Sequence, residues 1–166
     1  MALKLPNIPN LLFTTSRAIG EGINTNNQQQ IINSQVKTYR LPACAFSSLD
    51  ERTEPITYTE GYLTDSNNTG FSILAPVQLP QGANIIAVVV FGNAGATGET
   101  YTLTQWSNDN TPGETIATAN VGTEDTTVNH IVDNNNWSYI LEVQALDNND
   151  LIFGARILYT TEIESE

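Results

Sequence analysis

The segment at 137–146, WSYILEVQAL, places Trp137, Tyr139, Leu141 and Val143 on one face and Ser138, Glu142 and Gln144 on the other. That period of two predicts an antiparallel strand with one face in a core and one toward water. The segment at 84–92, NIIAVVVFG, is apolar from Ile85 onward, which predicts a strand covered on both faces, by two layers of one domain or by a neighbouring subunit. Shorter runs rich in Thr, Val, Ile, Tyr and Phe surround these two: YRLPACAF, ITYTEGYL, FSILAPVQL, ETYTLTQW, ETIATANV, TTVNHIV and LIFGARILYT. Between them lie DSNNTG, LPQGA, GNAGATG, SNDNTPG, GTED, DNNN and DNND, turn compositions in which Gly, Asn and Asp accept left-handed backbone. Short strands at this spacing, with hardly a helix, predict an all-β fold over residues 37–166, an antiparallel β-sandwich, jelly-roll-like, of about eight or nine strands. In its last strand Arg156 falls on the face opposite Phe153, Ile157 and Tyr159 and calls for a carboxylate partner, on this chain or on a neighbour.

Residues 1–36 read differently. They carry Leu3, Leu5, Ile8, Leu11, Leu12 and Phe13 with no clean period of two or of a helix, followed by the polar stretch NTNNQQQ. A short helix is expected across Gln28 to Val36, capped by Asn26 or Asn27. Pro6 and Pro9 interrupt what would be the apolar stretch of a secretory signal, and Lys4 alone supplies its basic end, so the segment reads as part of the mature protein. Six large apolar side chains in such a stretch cannot close a core of their own. The expectation is an extended N-terminal arm whose apolar residues are the interaction residues, packed on the sandwich or on another subunit.

Charge sharpens that division. The 166 residues hold 6 Lys+Arg against 18 Asp+Glu, a net charge of −12. Residues 1–56 sum to +1, whereas residues 57–166 hold Arg156 as their one basic residue and sum to −13. An acidic body of this kind argues against DNA, RNA or an anionic membrane as partner, because those surfaces are met by basic patches. The longest apolar run, IIAVVVFG, has eight residues, short of the roughly 20 that cross a bilayer as a helix. Only 14% of the chain is charged, and 19 Asn and 21 Thr supply the polarity instead, as suits turns and strands.

Candidate chemistry is sparse. Cys44 and His130 are single residues of their kind, so a disulfide within the chain and a four-ligand zinc site built on Cys and His are both ruled out. Cys44, between two alanines, reads as a small buried hydrophobe, and His130 as a structural histidine on a strand with no nucleophile motif beside it. Oxygen-rich clusters at 65–68, 109–110, 133–136 and 147–150 are of the type a hard cation accepts, without EF-hand spacing; Asp147 and Asp150 are the pair expected to hold Ca²⁺ if any does, ordinary turns being the competing reading. No other cofactor is expected. The neighbouring acids Glu124–Asp125 and Glu162/Glu164 are of the type glycosidases use across a cleft, but also what an acidic surface supplies by chance. The glycine-bearing loop GNAGATGET lacks the Lys-Ser/Thr ending of a phosphate loop and reads as a strand connection. Trp106 and Trp137 are the candidate platform for a sugar ring.

The ordered set LPACAF, PVQLPQGANI, VDNNNWSYILEV and GARILY resembles a widespread group of uncharacterised bacterial and phage β-sandwich proteins, over about residues 37–160. The resemblance implies one jelly-roll-like sandwich and brings no catalytic residue with it; the arm lies outside it. From arm, charge split and sparse chemistry together, the expected function is a non-enzymatic structural subunit that binds copies of itself through the arm. The expected setting is a virion, as capsid, decoration or fibre component, or another extracellular assembly with further virion or surface proteins as possible partners. The competing expectation is a carbohydrate-binding β-sandwich module.

Overall fold

The alternation of inward and outward side chains resolves, in a computed structural model describing residues 34–49, 56–64, 70–93, 95–107, 109 and 111–162, into eleven strands among those residues. They are β1 (Ser34–Pro42), β2 (Ser47–Ser48), β3 (Thr57–Thr59), β4 (Tyr62–Thr64), β5 (Phe71–Val77), β6 (Asn84–Gly92), β7 (Thr100–Ser107), β8 (Pro112–Asn120), β9 (His130–Ile131), β10 (Trp137–Leu146) and β11 (Ile152–Glu162), with 3-10 turns at Ala43–Ala45 and Gly95–Gly98. One sheet has the order β3-β4-β11-β6-β9, with β1 also on β11; the other has the order β2-β5-β10-β7-β8. The inner eight therefore run β4-β11-β6-β9 in one sheet and β5-β10-β7-β8 in the other, and apart from the β7–β8 hairpin the chain changes sheet at every connection. That is the strand order of a jelly roll, as the strand spacing predicts. The expected eight or nine strands become eleven because ITYTEGYL divides into β3 and β4 and the two-residue β2 (Ser47–Ser48) lies outside the expected segments.

The core lies between the sheets. Leu63, Ile85, Val88, Val90, Ile152, Ala155 and Ile157 on one side meet Phe71, Ile73, Ala75, Tyr101, Leu103, Tyr139, Leu141 and Val143 on the other, all buried. Each fully buried aliphatic or aromatic side chain contributes about 1.5–3 kcal/mol relative to exposure, so the alternation in 137–146 fixes which face of β10 turns inward. In β6 the opposite face is covered too, with Ala87 and Val89 at 4% and 2% exposure outside the core cluster, as an unbroken apolar run implies. The Tyr101 hydroxyl lies 2.7 Å from the Val88 carbonyl oxygen and 2.9 Å from that of Thr123, and it accepts the Asp125 N–H at 3.2 Å. It thereby ties β7 to β6 and to the loop before β9.

Several segments depart from the expected strands. YRLPACAF is not one strand: β1 ends at Pro42, which has no N–H to continue a ladder, and the Phe46 N–H closes the 3-10 turn on Ala43 O at 3.1 Å. ITYTEGYL folds back on itself as the β3–β4 hairpin, pairing Thr59 with Tyr62 across Glu60-Gly61. TTVNHIV contributes only His130–Ile131 as strand; just before it Asp125 bridges to Val88 of β6, and its carboxylate accepts from the Thr127 N–H and hydroxyl and from the Thr118 N–H. Of the helix expected across Gln28 to Val36, residues 34–36 are strand and the remainder lies outside the described residues. The arm residues Leu3, Leu5, Ile8, Leu11, Leu12 and Phe13 also lie outside them, and Val36 and Lys37, on either side of the expected domain boundary, both belong to β1.

Candidate functional site

The outer face of the β1-bearing sheet is shaped by Gly154. Its φ is +134°, and a Cβ there would sit 2.3 Å from the Leu41 carbonyl oxygen, so only glycine lets β1 close against β11. The β11 register slips between Ile152 and Gly154. That slip overturns the expected facing of Phe153: it turns outward with Arg156, at 45% exposure, while Ile157 stays in the core. Phe91, opposite Gly154 on β6, is 40% exposed. The Arg156 guanidinium carbon lies 5.7 Å from the Phe91 ring centre, and its Nη2 donates to Glu124 Oε1 at 2.8 Å, so its carboxylate partner is on this chain. Beside Phe153 a cleft of about 220 Å³ is lined by Pro42, Cys44, Tyr58 and Tyr62 among others. Cys44 is exposed there rather than buried, because the strand expected to carry it inward stops at Pro42. The Tyr58 hydroxyl donates to the Phe46 carbonyl, which holds the β3–β4 hairpin over the cleft.

The acid-and-amide clusters at 133–136 and 147–150 are turns held by their own side chains. Asp147 Oδ1 accepts the Gly70 N–H at 3.2 Å, and buried Asp150 accepts the Asp147 N–H through Oδ2 at 2.7 Å. Asn93 joins this loop to the glycine-bearing one: its Oδ1 accepts from the N–H groups of Ala96 and Leu151, and its Nδ2 donates to Asn149 O. Burial, then the charges of Asp150 and Asp147, push the Glu99 carboxyl above its ordinary value. Even so, no group of three or more His, Cys, Asp or Glu placed to hold a metal occurs among the described residues. Asp133 accepts from Asn136 Nδ2, the Asn135 N–H and Gln81 Nε2; the Asn136 bond leads in holding its carboxyl below the usual range. Of the neighbouring acids, Glu124 serves Arg156 and Asp125 serves backbone and hydroxyl groups of Thr118 and Thr127. The 65–68 cluster and Glu164 lie outside the described residues, as do the side chain of Glu162 and all of Asn110.

His130 packs edge-on against Tyr139, ring centres 5.8 Å apart, with Nε2 buried and without a hydrogen-bond partner among the described residues. Burial lowers its pKa, and the Glu114 charge works against that. The register separates the two tryptophans. Trp106 pairs with Ser138 and shares its outward face, whereas Trp137 precedes Tyr139 on the inward face and packs against the core. A Cβ on Gly113 would lie 3.0 Å from Trp137 Cζ3 and 2.8 Å from Gln105 Cγ, so β8 passes close beneath that ring. Trp106 and Trp137 therefore do not form one flat platform.

What sequence reasoning missed is the company these residues keep. Tyr58, Phe91 and Phe153 come from three separate strands, and Phe153 faces out only because of the slip at Gly154. The one local signal was Gly154 itself, a glycine inside a strand pattern, which marks a bulge or a close backbone approach.

No family model matches the sequence, and comparison with curated proteins finds no match. Eleven chains of solved structures match it. One is a family two carbohydrate esterase from Cellvibrio japonicus, 12% identical, with a TM-score of 0.36, covering 78% of this chain and 35% of that one. This chain thus spans about a third of that enzyme's length, and the jelly-roll assignment rests on the strand order described above.

Proposed function

We propose that the chain is a non-enzymatic structural subunit that assembles with copies of itself, as a virion component or as part of another extracellular assembly. The observation that supports this reading is the outer face of the six-stranded sheet, where Tyr58 and Phe153, 47% and 45% exposed, line an apolar cleft and Phe91, 40% exposed, pairs with Gly154 next to Phe153. Scattered apolar side chains on a monomer need no explanation, but grouped aromatics beside a cleft are the usual mark of an interface. The occupant we assign is a second copy, contributing the apolar residues Leu3, Leu5, Ile8, Leu11, Leu12 and Phe13. Residues 1–56 sum to +1, so contact through them avoids the repulsion between bodies whose residues 57–166 each sum to −13.

Sedimentation velocity of the full chain across a hundredfold concentration range tests the reading. Concentration-dependent species larger than the monomer are expected, reduced both by Phe91→Ser with Phe153→Ser and by deletion of residues 1–20. A wild-type chain that stays monomeric at every concentration overturns it. Negative-stain electron microscopy of the same samples separates closed rings or shells from filaments.

A further inference from the structure

At the end of the sandwich remote from the Asp147 loop, a depression of about 410 Å³ lies between the last residues of β5 and the start of β10, within the roughly 300–1,000 Å³ typical of small-molecule sites. Pro76, Gln78, Asn134, Trp137 and Ser138 supply its chemistry. We propose that this depression binds a neutral saccharide, with Trp137 and Pro76 as apolar walls and Gln78, Asn134 and Ser138 as hydrogen-bonding groups.

Three features carry the assignment. The first is the lining itself, which contains no charged side chain among the described residues. It sits on a body whose residues 57–166 sum to −13, so an anionic ligand finds no counter-charge there and a cation finds no carboxylate. The second is that polar groups remain available. Among the described residues, hydrogen bonds engage Asn134 through its N–H, donating to Gln81 Oε1 at 2.7 Å, and through Nδ2, donating to Leu79 O at 2.8 Å. Its Oδ1 is left as an acceptor in a fixed position, and the Gln78 amide and Ser138 hydroxyl add both donors and acceptors. A wholly apolar ligand would strip water from these groups without replacing it. A sugar offers an apolar C–H face for indole and proline and hydroxyls for the amides.

The third feature is preorganisation. The Trp137 backbone N–H donates to Asp133 O at 3.0 Å, the Asp133 backbone N–H donates to the Tyr139 hydroxyl at 2.7 Å, and the Asp133 carboxylate ties down Gln81, Asn135 and Asn136. Trp137 is further wedged over Gly113. Little ordering remains for a ligand to impose, which lowers the cost of binding.

The experiment is a titration of the full ¹⁵N-labelled chain with neutral mono- and oligosaccharides (hexoses, N-acetylhexosamines, short β- and α-linked glucans) and with uronates as the charged control. At least one neutral sugar is expected to give saturable shifts confined to residues 77–79 and 134–139. Trp137→Ala should abolish them and Trp106→Ala leave them in place. Gln78→Ala, a change at an exposed position, should weaken binding tenfold or more with an unchanged melting temperature, which keeps the proposal testable if the Trp137 variant fails to fold. Absence of saturable shifts across the panel overturns it, as does binding equally strong in the Gln78 variant or preferring the uronates. Self-association is not involved in any of these readouts, so this inference and the proposed assembly stand or fall separately.

Discussion

Tyr101→Phe removes one oxygen from the middle of the sandwich and nothing else. The ring is fully buried, and its hydroxyl contacts Val88 O at 2.7 Å, Thr123 O at 2.9 Å and the Asp125 N–H at 3.2 Å. Two of those partners have each other, since the Asp125 N–H also donates to Val88 O at 2.9 Å. The group left without this donor is the carbonyl of Thr123, an exposed residue that water can reach, so the loss is the net worth of one hydrogen bond, about 0.5–1.5 kcal/mol. For a domain of this size that is about 2–4 °C in melting temperature per kcal/mol. Urea unfolding should give a lower midpoint with an unchanged slope, because the area exposed on unfolding is the same. The pH dependence provides a second reading of the same oxygen. Burial, with the Asp125 backbone bond opposing and the charges of Asp125 and Glu124 adding, pushes the phenol up to about 12. The folded value lies above the unfolded one of about 10, so the stabilisation from a neutral phenol is complete below pH 10 and lost as pH rises toward 12. The difference between wild type and Tyr101→Phe should therefore shrink over that interval. A variant within 0.5 kcal/mol of wild type at pH 7, or a difference flat from pH 9 to 12, would refute the role assigned to this hydroxyl.

Gly154→Ala puts a methyl group where the Leu41 carbonyl stands and at a φ that L residues avoid; a loss above about 3 kcal/mol is expected, with faster amide hydrogen exchange concentrated in β1. His130 has its pKa lowered by burial against the opposing Glu114 charge, so stability should fall as pH drops below about 6.5, where the unfolded chain takes up a proton that the folded one resists; His130→Gln should flatten that part of the profile measured by thermal melting. Arg156→Met and Glu124→Gln break an ion pair in which each side chain is 34% exposed, so the coupling from a double-mutant cycle should be at most about 1 kcal/mol and diminish in high salt.

The fold was legible because its signals are local. Period two in 137–146 and the unbroken run in 84–92 reproduce β10 and β6 residue for residue, since burial of one face or both is written in consecutive side chains. Where two elements share one apolar run, composition cannot divide them: ITYTEGYL has strand composition throughout, and only Glu60-Gly61 marks the reversal. The candidate surfaces were legible in their ingredients and not in their arrangement. Parity within each strand separates Trp106 from Trp137 only once Ser138 is known to face Trp106. Likewise Gln78 and Asn134 reach one depression through the pairing of Val77 with Tyr139, 62 residues apart in sequence, which no window along the chain contains.

The acidic balance takes on a different meaning once its carboxylates are placed. Asp109, Asp125, Asp133, Asp147 and Asp150 each accept at least one backbone N–H in a turn, and Glu124 is taken up by Arg156. These charges earn their place as local staples, in loops where Asn does similar work at Asn93 and Asn134. Their sum still produces a field that repels a second acidic body, which makes neutral ground valuable for any contact the protein forms. Both surfaces singled out above have that character. Among the described residues, the cleft beside Phe153 and the depression beside Trp137 are each lined without a carboxylate. Raising salt from 50 to 500 mM therefore should strengthen self-association, by screening the bodies from one another, and leave saccharide binding unchanged; an assembly that dissociates in salt would instead require charge pairing between copies and would displace the aromatic face as its basis.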